Sequence, residues 1–234
     1  MACSRVWASR PRVSAVQRTP DAIAITATLH ERSREELLAR LEYFSLAPRV
    51  VLDLGTGTGH AAAALARRFA NARVFTVDLD VSVLQVAGRQ LGWRDRFLGG
   101  RFGHPFTRIA ADARALPLAD GCVDLVFGNC MLQRCDDLDA ALAEIRRVCA
   151  PRALFTLSMF GTTTPQFNEF VDMHDLGSAL VRAGFQEPVL DVDRHHDRLA
   201  GAQVSWEIVH ATAFAAATAE VVVPLARLGR KTRP

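Results

Sequence analysis

Residues 51–59 read VLDLGTGTG, and they decide the fold. Val50–Leu54 is apolar apart from Asp53 and reads as a strand. Gly55, Gly57 and Gly59 then alternate with threonine, and His60–Ala70 follows as an alanine-rich helix. A strand, a glycine turn and a helix make the kind of turn that cradles a nucleotide. Gly55 and Gly57 can adopt backbone angles closed to other residues and leave no Cβ in the way of a ligand. The helix start beyond them offers free N–H groups.

Working outward, the chain alternates strands and helices. The apolar spacing of Leu37, Leu38, Leu41 and Phe44 predicts a helix over residues 29–44 that leads into the sheet. After the first strand and helix come a strand at Arg73–Val77 ending at Asp78, and a helix at Ser82–Leu91. A loop is expected over 92–107, then strands at Thr107–Ala110 and Val123–Gly128. A helix at Asp137–Val148 is capped by its aspartate, and a strand follows at Leu154–Phe160. Asp172–Ala183 reads as a helix stopped by Gly184. Val189–Asp193 and Val204–Phe214 complete seven strands. This order predicts an α/β fold with a doubly wound, mostly parallel sheet. The expected divisions are an N-terminal arm at 1–28, one domain at 29–214 and a tail at 215–234.

In such sheets a ligand lies beyond the carboxyl ends of the strands. Asp53, Asp78, Asp112 and Asn129 stand at four successive strand ends. Asp78 suits a ribose diol, because an ionised carboxylate only accepts hydrogen bonds and has two oxygens to do so. Asp112 suits an exocyclic amine, with Ala113 supplying backbone. The glycine order also discriminates. A dinucleotide fingerprint has its third glycine or alanine where this chain has His60, which disfavours a nicotinamide-dependent dehydrogenase. G-x-G-x-G with an acid two residues earlier resembles motif I of the class I S-adenosylmethionine methyltransferases, with their Rossmann-like fold.

Composition narrows the setting. The 234 residues are half hydrophobic, enough for one large core. No apolar run approaches the ~20 residues needed to span a bilayer, so no membrane partner is expected. Net charge is +3, and all basic residues but Lys231 are arginine. They are spread along the chain, which argues against a nucleic-acid surface. The acid-free stretch bearing Arg5, Arg10, Arg12 and Arg18 reads as a loose arm rather than a transit peptide. Cys3, Cys122, Cys130, Cys135 and Cys149 form no C-x-x-C pair, as expected of reduced thiols in a cytoplasmic protein. Asp172, His174 and Asp175 read as helix-start residues, and Asp193, His195, His196 and Asp197 as solvated residues leading into a loop, so no metal is assigned.

Three segments carry a narrower resemblance: DARALPLADGCVDLVFGNCMLQRCDDLDAALAEIRRV (112–148), LFTLSMFG (154–161) and FVDMHDLGSALVRAGFQEPVLDVD (170–193). Together with HERSREELLARLEYFSLAPRVVLDLGTGTG (30–59) they resemble the biotin-pathway malonyl-acyl-carrier-protein O-methyltransferases. That family methylates the free carboxylate of a malonyl thioester on acyl carrier protein, with S-adenosylmethionine as donor. The resemblance implies that Asp53, Gly55, Thr56, Gly57 and Gly59 bind the cofactor, with Asp78 and Leu79 after the second strand. Asp112, Ala113, Asn129 and Gln133 complete the implied set. A malonyl carboxylate is already ionised at neutral pH, so no general base is required and none is assigned. A cation is useful to hold the acceptor, and Arg134, Arg146 and Arg147 are available. For Arg146 and Arg147 a solvated helix face is the simpler expectation.

The chain also departs from that family. Its QRTPDAIA stretch keeps Asp21 but lacks the family's tyrosine. Gln133-Arg134 replaces Gln-Trp, and Pro151-Arg152-Ala153 replaces a P-G-G turn. Only TTTPQFNE, residues 162–169, stands where the family inserts a helical lid. These departures predict a more open acceptor pocket. They keep two alternatives in view: a methyltransferase for another small acceptor, and a catalytically weak paralogue that binds cofactor or carrier protein. Arg94, Arg96, Arg101 and Arg108 are candidates to attract an acidic carrier.

Overall fold

The structure, a computed structural model, describes residues 20–87, 105–161, 172–199 and 202–217. Five helices and seven strands are defined within them. The strands are β1 (Val50–Leu54), β2 (Arg73–Asp78), β3 (Phe106–Ala110), β4 (Val123–Asn129), β5 (Cys149–Phe160), β6 (Phe185–Leu199) and β7 (Ala202–Ala215). The helices are α1 (Pro20–Arg40), α2 (His60–Arg68), α3 (Val81–Val86), α4 (Leu138–Val148) and α5 (Met173–Arg182).

The sheet runs β3-β2-β1-β4-β5-β7-β6. The first five strands pair in parallel, and β7 is antiparallel to both β5 and β6. Val51, Leu52, Asp53 and Leu54 are all buried, as expected of a central strand covered on both faces. One face packs Leu52, Val126, Ile145 and Leu180 into a core with α4 and α5. The other packs Val51, Leu65, Phe127 and Leu37 with α1 and α2. Strand order reverses between β1 and β4, which opens a crevice at that end of the sheet.

Several elements extend beyond their sequence-based limits. α1 begins at Pro20, inside the stretch expected to be an arm, and ends at Arg40. Leu29, Ser33 and Leu37 are all at most 3% exposed and recur every four residues, and Leu41 in the turn that follows continues the row, so one stripe of this helix is seated on the sheet. β6 and β7 form a long hairpin whose ladder runs from Phe185–Ala215 to Leu199–Ala202. His195 and His196 therefore lie in a strand, not at the start of a loop: alternating polar residues pair across to Trp206 and Ser205. Asp137 and Asp172 cap α4 and α5, accepting from the N–H of Ala140 and His174. The expected loop at 92–107 and the short link at 162–169 lie almost wholly or wholly outside the described residues, as do Arg94, Arg96 and Arg101. No described helix is long and apolar enough to cross a membrane.

Candidate functional site

A cleft of about 830 Å³ opens over the carboxyl ends of β1, β2, β3 and β4, within the range of small-molecule sites. Its floor is the glycine turn. Gly55, Gly57 and Gly59 all have positive φ, at 70°, 54° and 83°. The N–H groups of Gly55 and Thr56 both donate to the Val77 carbonyl, at 2.8 and 3.1 Å, which ties the turn to β2. A Cβ on Gly55 would sit 2.4 Å from the Cβ of Met131, whereas one on Gly57 would meet nothing within 4 Å. Gly55 is therefore required by packing, and Gly57 faces open space. Beneath them Asp53 is 1% exposed and accepts from Thr56 Oγ1 at 2.6 Å. Burial pushes its carboxyl up to about 7, against the pull of the Thr56 hydroxyl and the Ala62 N–H.

The neighbouring strand ends carry the acids. Asp78 Oδ2 accepts from Gly57 N–H at 3.0 Å, and its Oδ1 accepts from Asp80 N–H at 3.0 Å. Two backbone donors thus fix the carboxylate and leave lone pairs for a ligand hydroxyl pair. Leu79, beside it, is 73% exposed within the cleft lining, and Val81 follows at 54%. A carboxylate set beside uncovered apolar side chains suits a ligand with a diol next to a flat ring. Asp112 is engaged differently. Arg114 Nε and Nη2 grip both its oxygens at 2.6–3.1 Å, which holds its carboxyl below the usual range. A ligand amine there has to displace part of that pairing. Ala113 lines the cleft and packs into the core behind it.

At the β4 side the cleft changes character. Asn129 lines it, but both ends of its amide are already used: Nδ2 donates to the His30 carbonyl at 3.1 Å, and Oδ1 accepts from Ser158 Oγ at 2.9 Å. Asn129 therefore ties α1 to the sheet. His30, Arg34, Cys130, Met131 and Arg134 line the same end. The His30 ring lies against Phe160 with centroids 5.3 Å apart. Burial, helped by the Arg134 charge, lowers its pKa to about 4, so the imidazole is neutral at pH 7.

Two residues of the expected set stand outside the cleft lining. Gly59 does not line the cleft. Its missing Cβ would lie 3.1 Å from Ala87 Cβ and 3.3 Å from the Phe106 ring, so it lets α2 pack closely. Gln133 does not line it either. The turn at Leu132–Arg134 directs its Nε2 to the Cys130 carbonyl at 2.7 Å and brings Arg134 to the cleft instead. The other arginines have structural work. Arg146 donates to the carbonyls of Gly184 and Ala216, and Arg147 to those of Leu116 and Leu118 while pairing with Glu144 and Asp120. These side chains fasten loops, so the expected solvated face is not what α4 presents. Arg108 likewise donates to the carbonyls of Leu84 and Ala87, at the end of α3. His30 and Arg34 were not singled out by the sequence; their one signal is charge placed at helical spacing between apolar residues.

Residues 52–157 match the family model described as a methyltransferase domain. The chain is 40% identical over 181 residues to a malonyl-[acyl-carrier protein] O-methyltransferase of Methylovorus sp. strain MP688, covering 71% of this chain and 60% of that protein. It is 37% identical over 210 residues to the protein of the same name from Laribacter hongkongensis, covering 82% of this chain and 67% of that one. The chain spans three fifths to two thirds of the length of such relatives. A solved SAM-dependent methyltransferase of Methanosarcina mazei has the same fold, with a TM-score of 0.58 at 17% identity over 76% of this chain and 98% of that one. The fold is that of the class I S-adenosylmethionine-dependent methyltransferases, and the chain belongs to the malonyl-[acyl-carrier protein] O-methyltransferase family.

Proposed function

We propose, with that family membership as premise, that the chain transfers a methyl group from S-adenosylmethionine to the free carboxylate of a malonyl thioester carried on acyl carrier protein. The observation that carries this reading is the likeness to relatives of that name, set on a cleft whose residues suit the donor. Asp78 would hold the ribose diol, Leu79 and Val81 would cover the base, and Asp112 would meet its amine. The open side of Gly57 gives a ligand close access to backbone. Asp53 would stay beneath the turn, holding Thr56 and the start of α2. The donor supplies an electrophilic methyl on a sulfonium.

What remains for this chain is alignment and exclusion of water. An ionised carboxylate needs no proton removed, and the cleft supports that economy. A histidine held near 4 is a weak base for a hydroxyl acceptor, whose proton has to go somewhere. The acyl carrier protein is the proposed partner and the cytoplasm the proposed setting.

The test is transfer of labelled methyl to malonyl-loaded carrier protein, with unloaded carrier and free malonyl-CoA as controls. Label appearing as a base-labile ester on the malonyl carrier supports the reading. Label on neither malonyl species, with the donor bound, overturns it and leaves a binding paralogue or another acceptor.

A further inference from the structure

One serine hydroxyl on β5 sets how α1 meets the cleft. Ser158 is fully buried and stands at the same register as Asn129 on β4. A hydroxyl has one hydrogen to give and two lone pairs to receive. Ser158 Oγ gives its hydrogen to Asn129 Oδ1 at 2.9 Å and accepts from the Cys130 N–H at 3.1 Å. The direction of the Asn129 amide follows from its other partner. The His30 carbonyl can only accept, so Asn129 turns Nδ2 toward it, at 3.1 Å, and Oδ1 toward β5. Reversed, the amide would set oxygen against oxygen beneath α1. The Ser158 hydroxyl supplies the donor that Oδ1 needs in the working direction.

The same hydroxyl fixes the turn beyond Asn129. Cys130 has a φ of 50°, a left-handed value that a residue with a Cβ keeps only where its surroundings impose it. Its N–H is held by the Ser158 carbonyl at 3.0 Å as well as by Ser158 Oγ. Its thiol lies 3.5 Å from Ser158 Oγ and donates to Ser33 Oγ, on α1, at 3.7 Å. Both polar ties from β4 to α1, at His30 and at Ser33, thus lead back to Ser158.

What α1 carries connects these ties to the cleft. His30 and Arg34, one helical turn apart, both line it. The Asp78 carboxylate on the far side is set by the N–H groups of Gly57 and Asp80 and takes nothing from α1. The two sides of the cleft are therefore built independently, and a fault in one leaves the other intact.

We propose that Ser158 is a positioning residue for methyl transfer, which acts through Asn129 to hold the α1 wall against the cleft and leaves the grip on the nucleoside to the β2–β3 side. The inference rests on the methyltransferase reading, in which the chain aligns the reactants and excludes water. It adds a residue outside the cleft lining on which that alignment depends.

The test compares Ser158→Ala, Asn129→Asp and the double variant with the native full chain. Asn129→Asp keeps the shape and the bond from Ser158 but cannot donate to the His30 carbonyl. Methyl transfer to malonyl carrier protein gives kcat and the KM for S-adenosylmethionine. Amide hydrogen exchange reads α1 against β1 and β2. In Ser158→Ala, kcat is expected to fall about tenfold or more, with the KM for S-adenosylmethionine and the affinity for 5′-methylthioadenosine within about threefold. Exchange should quicken over residues 29–37 and not over the strands. Asn129→Asp should do the same, and the double variant should be no more than about threefold slower than Asn129→Asp alone. Multiplying effects would show that Ser158 does not act through Asn129. Exchange quickened equally in α1 and the strands means a merely structural role and overturns the proposal, as does a KM that rises as far as kcat falls. Should Ser158→Ala lack a cooperative urea transition, Asn129→Asp decides: unchanged exchange over α1 overturns the seat. A native chain that transfers no methyl to the carrier overturns the functional reading instead, while the exchange comparison still reports on Ser158.

Discussion

The Asp78 corner of the cleft is organised by backbone, whereas the end under α1 is organised by side chains. Asp78 is set by the N–H groups of Gly57 and Asp80, in loops fixed to neighbouring parallel strands. His30, Arg34 and Arg134 depend on an added helix and on one asparagine that spans the gap. The first arrangement follows from the sheet and survives wherever the fold does. The second rests on a few side chains and can change with a few substitutions.

The severest way to break the contrast is Gly55→Ala. The new Cβ meets Met131 at 2.4 Å in a backbone conformation with φ of 70°, so the turn and the β4 side must both shift. A loss of about 2–4 kcal/mol in unfolding free energy is expected. Gly57→Ala meets no neighbour and pays only for its positive φ, about 1–2 kcal/mol. Equal losses in urea denaturation would contradict the packing role of Gly55.

Asp78→Ala comes next and acts on its own corner alone. It removes charge-assisted hydrogen bonding worth about 1.5–3 kcal/mol net, so affinity for S-adenosylhomocysteine falls by one to two orders of magnitude. Calorimetry measures it, and unchanged affinity would remove Asp78 from the site.

The smallest effect sharpens the comparison through pH. His30 has its pKa lowered from 6.5 to about 4 by burial and then by Arg134. Between those values the unfolded chain takes up a proton that the folded chain refuses, so stability is lost as pH falls. Asp53 runs the other way. Its carboxyl is raised from 3.8 to about 7 by burial, so the stability it contributes is full at low pH and is lost as pH rises through that window. His30→Gln is expected to gain stability relative to the native chain as pH falls from 6.5 to 4. Asp53→Asn is expected to gain as pH rises from 4 to 7. Parallel pH profiles for the variants and the native chain would show that neither group is held as described.

The Asp78 corner was readable from sequence because its causes are local. A glycine at a positive φ, an acid at a strand end and a helix cap each act over a few residues. Asp53, Gly55, Asp78 and Asp112 could be found by spacing alone. Asn129 was also found by spacing, yet its partner is His30, 99 residues away, and no pattern near Asn129 announces a structural bridge. Arg34 read as one more charge on an amphipathic helix, because which face meets a cleft depends on how that helix docks. Arg146 read as solvated because the carbonyls it holds lie 38 and 70 residues further on. The β6–β7 hairpin is longer than expected for the same reason: DRHHDR has the polarity of a loop and becomes strand through pairing with β7.

Arg40 closes α1 with a hydrogen bond to Asp191, 151 residues later in the chain. Its other carboxylate neighbours are Glu36, on the same helix, and Asp193, on β6 beside the buried His210. During synthesis at about 5–20 residues per second, the N-terminal helix waits on the order of ten seconds or more for that anchor to be made. The glycine turn and the four parallel strands behind it are complete by residue 129. The wall bearing Arg34 is the first part of the site to leave the ribosome, and its Arg40 anchor waits for β6.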